Sequence, residues 1–94
     1  MTCTNVLRRG GGWRHFYDRY KLRGLSNIIS LEELTEAIRR RYIEGKAHKD
    51  EKHSGLKGPR YRIKIERPAH LVIVIVEKTQ DCLLPITVWF EGLR

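Results

Sequence analysis

Residues 60–66 read Arg-Tyr-Arg-Ile-Lys-Ile-Glu. Tyr61, Ile63 and Ile65 alternate with Arg60, Arg62, Lys64 and Glu66. Successive side chains of a strand point to opposite faces of its sheet. The segment is therefore a strand with one apolar face to bury and one basic face to leave open. Three cations two residues apart repel one another unless something anionic lies over them. Among the residues of that face, Glu66 is the only carboxylate this segment supplies.

The rest of the chain supplies what the apolar face needs. Residues Leu71 to Val76 form an apolar run of strand length, apolar on both faces and hence central. Residues Leu84 to Phe90 form a third strand, with Pro85 near its start. Pro68 and Ala69 make the turn between the first two strands, and Thr79 to Cys82 a short polar connection to the third. Upstream, Trp13, Phe16, Tyr17 and Tyr20 fall at i, i+3, i+4 and i+7, the spacing of an amphipathic helix that Gly24 ends. A second helix opens at Ser30, where Ser30 and Glu33 read as a capping box. Its buried stripe is Leu31, Leu34, Ala37, Ile38 and Tyr42, and Gly45 stops it. The order is ααβββ, or βααβββ if residues Met1 to Leu7 add an edge strand. The fold class is α+β: two N-terminal helices packed on one face of a small antiparallel sheet of three to four strands.

Ninety-four residues suit a single domain over 1–94. Gly10, Gly11 and Gly12 read as a joint, with residues 1–12 a flexible lead. Residues 46–59 have almost no apolar content and read as a mobile basic loop. No apolar stretch approaches the roughly 18–20 residues that cross a bilayer, and the N-terminus lacks an apolar signal core. A cytoplasmic protein without a membrane partner is expected. Cys3 and Cys82 show neither metal spacing nor a disulfide framework, which fits a reduced compartment.

Net charge is +8, and it is uneven. Residues 1–25 and 46–67 each carry a net +5, while the segments between and after them are slightly acidic. Two basic blocks of this kind suit a nucleic-acid-facing surface. Arg60, Arg62 and Lys64 on the strand, with Lys57 from the loop before it, would contact phosphates, and a positioned Arg62 could stabilise a phosphoryl transition state. The competing reading is a solvated outer face. His15, Arg19 and Arg23 share one flank of the first helix at i, i+4 and i+8. A histidine between guanidiniums is a natural acid–base group beside an anion, or else simply a surface residue. Thr87 and Trp89 share a face of the last strand, where Trp89 either stacks on a base or packs in the core. Arg8 and Arg9 before the glycines could form an anion-binding nest at a helix start. His48 and His53 flank Asp50 and Glu51, but no third ligand follows, so no metal and no cofactor is expected.

Several of these segments recur together in one known group. His15-Phe16-Tyr17-Asp18-Arg19, Arg23-Gly24-Leu25, an acidic-starting helix, Tyr61-Arg62-Ile63, the Val/Ile strand and Ile86-Thr87-Val88-Trp89 follow in that order. Over residues 13–90 the chain resembles small toxin proteins of RelE-like fold, including BrnT-like members, within the barnase–colicin–RelE group of metal-independent ribonucleases. The resemblance implies an endoribonuclease in which a 2′-hydroxyl attacks the phosphate with help from a base and cations. Matched onto this chain it makes His15, Arg19, Arg62, Lys64 and Thr87 the candidates, with His15, Arg19, Arg62 and Thr87 catalytic; beside them, Arg23, Arg60, Lys64, Lys57 and Trp89 are the expected nucleic-acid contacts. An acidic antitoxin-like partner and a strand-edge homodimer would also fit. Two other functions stand beside this one: a non-catalytic nucleic-acid-binding protein of viral or mobile-element origin, and an interaction module that docks an acidic protein.

Overall fold

The computed structural model describes residues 5–8, 10–50, 58–79 and 82–92. Two helices are followed by four strands: α1 (Gly10–Leu22), α2 (Leu31–Ile43), β1 (Ala47–Lys49), β2 (Arg60–Glu66), β3 (His70–Lys78) and β4 (Leu83–Gly92). A 3-10 turn at Leu25–Asn27 joins the helices. The strands lie in the order β1-β2-β3-β4, and every neighbouring pair is antiparallel.

Both helices cover one face of the sheet. Phe16 and Tyr20 of α1, Leu34 and Ile38 of α2, and Leu25 and Ile29 between them pack on Ile63, Ile65, Val72, Val74, Val76, Leu83 and Val88. These are the odd positions of β2 and the even positions of β3, as the two-residue period of a strand requires. Each fully buried side chain of this size contributes about 1.5–3 kcal/mol. The Tyr20 hydroxyl donates to the Ile29 carbonyl oxygen at 2.6 Å, so the core's one buried hydroxyl of α1 is satisfied.

Local signals account for the helix ends. Ser30 caps α2, its Oγ accepting from the Glu33 amide at 3.2 Å. Gly24 and Gly45 both take left-handed backbone, at φ 72° and 75°, where a side chain would strain the chain.

Three segments differ from the sequence reading. The glycines at 10–12 begin α1 rather than precede it. The first-turn amides of a helix need no intrahelical acceptor, and packing of Trp13 and Phe16 outweighs the poor helix propensity of glycine. The fourth strand is Ala47–Lys49, inside the segment read as a mobile loop, because Tyr61–Ile63 otherwise present an unpaired edge. Among its described residues, the N-terminal lead adds no strand to the sheet and pairs with it through an isolated parallel bridge, Val6 to Leu83, on the outer edge of β4. Residues 51–57 of that loop, His53 and Lys57 included, together with Cys3 and Arg9, lie outside the described residues. Cys82 is disulfide-bonded, which departs from the expected chain without a disulfide. No helix of the described residues is long and apolar enough to cross a membrane.

Candidate nucleic-acid interface

The basic side of β2 does face away from the helices. Register places Arg62 opposite Ile75, and Ile75 opposite Thr87; Lys64 lies opposite Ile73, and Ile73 opposite Trp89. Arg60, Arg62, Lys64, Thr87 and Trp89 therefore share the helix-free face. Trp89 stands outside the helix-side core, half-buried beside Ile73.

That face neutralises itself. Arg60 Nε donates to Glu77 Oε1 at 3.1 Å, from β2 to the residue directly opposite on β3. The Arg62 guanidinium donates to Asp50 Oδ2 at 3.3 Å, just past the end of β1. Asp50 is held there by its amide, which donates to the Arg60 carbonyl oxygen at 2.8 Å. Both carboxylates are almost fully buried, at 4% and 6% side-chain exposure. The anion that a row of cations demands thus comes from the chain itself. The middle of the face is closed as well: Ile75 is fully buried and Ile73 nearly so, so no open platform lies between Lys64 and Trp89. Of the three strand cations, Lys64 alone is exposed and without an acidic partner among the described residues.

His48, weighed in the sequence as a metal ligand or as part of a loop that folds onto RNA, sits opposite Arg62 in the β1–β2 pair. Among the described residues no group of three or more His, Cys, Asp or Glu could hold a metal ion.

Helix α1 is different. Its inner side is Phe16 and Tyr20, with Trp13 and Tyr17 stacked beside them at 5.4–6.3 Å between ring centres. Its outer side carries Arg14, His15, Asp18, Arg19 and Lys21, all exposed but for the half-buried Arg19. None of these makes an ion pair among the described residues. Lys21 lies over the Tyr17 ring, 5.4 Å from its centre, which holds a cation in place without neutralising it. Arg23 follows and donates to the Val88 carbonyl oxygen of the edge strand β4 at 2.9 Å. It anchors the helix end to the sheet and makes no ion pair among the described residues.

The residues proposed as one site therefore separate into two. His15 and Arg19 share a flank of α1, and Arg62 and Thr87 share a row of the opposite face, with the sheet between the pairs. Arg8, read as part of an anion nest, spends its guanidinium on Thr35 Oγ1 of α2 at 2.8 Å. Glu77 escaped the sequence reading, and Asp50 entered it only beside a possible metal site, not as the partner of Arg62. The signal for Glu77 was present: a two-residue turn at Pro68–Ala69 fixes the register in which Arg60 meets Glu77.

Comparison with known proteins adds no further residue to this geometry: no family model, no curated protein and no solved structure matches the chain.

Proposed function

We propose that the protein binds nucleic acid, RNA first among the candidates, through the outer surface of α1. One observation carries the reading. Of the two basic blocks, the strand is matched by its own buried carboxylates, whereas Arg14, Arg19 and Lys21 on α1 have no acidic partner among the described residues. A net +8 that is not spent internally is available to a polyanion. The helix is 13 residues, about 20 Å, long enough to follow a few backbone phosphates. Contacts of this kind position a backbone and carry little sequence information. Electrophoretic or fluorescence binding to a single-stranded RNA, repeated over a range of salt, tests the reading. Affinity falling steeply with salt supports it, and affinity indifferent to salt removes it.

A second reading is metal-independent RNA cleavage by a toxin-like ribonuclease. Its support is the exposed His15 one turn before Arg19, an acid–base group beside a cation on the binding surface. In this form Arg62 and Thr87 are not catalytic, since they stand on the other face. Incubation of RNA with the protein in EDTA is the test. Cleavage lost in His15→Ala, with binding retained, would favour it, and intact RNA would leave the binding function alone.

A further inference from the structure

A second cluster of cations lies away from α1. The C-terminal half of α2 and the exit of β2 enclose a cleft of about 370 Å³, lined among others by Arg40, Arg41, Lys46, Arg67, Glu44 and Glu66. Four cations face two carboxylates there.

Two backbone devices bring three of these cations to the cleft. Arg67 opens the two-residue turn between β2 and β3, its amide donating to the His70 carbonyl oxygen at 2.8 Å and its own carbonyl accepting from His70 at 3.3 Å. Arg41 and Lys46 are tied by the end of α2: the Lys46 amide donates to the Arg41 carbonyl oxygen at 2.9 Å, and the Gly45 amide to Tyr42 at 3.1 Å. These are the paired bonds of a helix end closed by a left-handed glycine.

The cluster's acidic contacts are loose. Arg67 stands 3.5 Å from Glu33, Lys46 3.7 Å from Glu44 and Arg40 3.9 Å from Glu36, and each carboxylate is well exposed. Exposed pairs of this geometry contribute about 0–1 kcal/mol and give way readily to a better acceptor. Arg41 has no ion pair among the described residues. Arg67 Nε is buried and has no hydrogen-bond partner among the described residues. A buried N–H left unsatisfied is costly, and a charged one more so. The dipole of α2 accounts for arginines in its last turns. It does not account for Arg67, which comes from the β2–β3 turn, nor for the unsatisfied Nε.

We propose that this cleft binds a phosphate group, with Arg67 and Arg41 as principal donors and Arg40 and Lys46 completing the charge. A phosphate offers three or more acceptor oxygens and a double charge, which suits two guanidiniums and a net positive cleft. The site is independent of the α1 surface, and either can fail without the other.

Nitrogen-15 NMR of the arginine Nε–H groups tests it, with inorganic phosphate titrated against sodium chloride at matched ionic strength. The Arg67 Nε–H resonance is expected to move saturably with phosphate and not with chloride. Arg41→Gln, which removes a side chain with no ion pair among the described residues, should weaken phosphate binding about tenfold. Arg14→Ala on α1 should leave it unchanged. Equal shifts with phosphate and chloride, or unaltered affinity in Arg41→Gln, would overturn the proposal. An oligonucleotide with and without a 5′-phosphate identifies the source: preference for the phosphorylated end places the group on a nucleic acid, and equal response to both places it on a small phosphate.

Discussion

Arg60 and Glu77 face each other across β2 and β3 as direct register partners, with Nε and Oε1 at 3.1 Å and the Glu77 side chain only 6% exposed. A strand that reads as a phosphate-binding stripe is, at its first cation, half of a buried ion pair. Losing one member of such a pair strands the other. Glu77→Gln should destabilise the protein by about 1–3 kcal/mol, below the cost for a fully buried pair because Arg60 retains some solvent. Urea unfolding of Glu77→Gln, Arg60→Gln and the double variant gives the coupling directly. A double variant no more stable than the sum of the singles would mean that the pair contributes nothing.

Gly58 precedes β2 and lies against the end of β3. A methyl group added there would run into the Lys78 carbonyl oxygen. The same stretch is tied by the Lys78 amide, which donates to the Pro59 carbonyl oxygen at 2.9 Å. Gly58→Ala should therefore cost about 3 kcal/mol, the upper part of the range for overpacking. Gly45→Ala meets no neighbour, and its cost, about 1 kcal/mol, comes from the left-handed backbone alone. Thermal unfolding of the two variants should rank them in that order.

Burial pushes up the Tyr20 hydroxyl, helped by Tyr17 and Glu33, and burial with Tyr61 does the same for Tyr42. A raised folded value means that the native state holds its proton where the unfolded chain has released it. These two groups contribute their stability fully below the ordinary tyrosine value of 10.0 and lose it as pH rises through the higher folded values. Stability should thus decline above about pH 10, and less so in Tyr42→Phe. Denaturant midpoints measured from neutral to alkaline pH provide the check.

Much of the fold could be read from residue spacing. The alternation of Tyr61, Ile63 and Ile65, the Val/Ile run of β3 and the 3–4 stripes of both helices each match one periodicity, and each is where the core lies. Residues Ala47–Lys49 carry no such pattern. Their strand exists because β2 offers an edge to pair with, a tertiary cause invisible in three residues. The site was harder to read for a related reason. Charge counts cannot show whether a cation is matched by an acid distant in sequence. Arg62 and Asp50 are 12 residues apart, and Arg60 and Glu77 are 17 apart. Their pairing matches two of the three strand cations and leaves those of α1 without an acidic partner among the described residues.

On the second reading, cleavage is carried by His15. His15→Ala should then abolish RNA cleavage in EDTA, with retention of the Kd for RNA. Thr87→Ala, on the other face, should cleave as the parent does. Loss of cleavage in Thr87→Ala alone would place the chemistry on the helix-free face instead.

The most direct measurement is the slope of log binding constant against log salt for a single-stranded RNA. Each phosphate neutralised contributes about −0.7 to that slope. Arg14→Ala, Arg19→Ala and Lys21→Ala together, on a helix where alanine is well tolerated, should flatten it by about 2 units. Lys64→Ala, the exposed cation of the strand, should leave it nearly as it was. An unchanged slope in the α1 variant, with the loss appearing in Lys64→Ala, would return the interface to the strand and contradict the account.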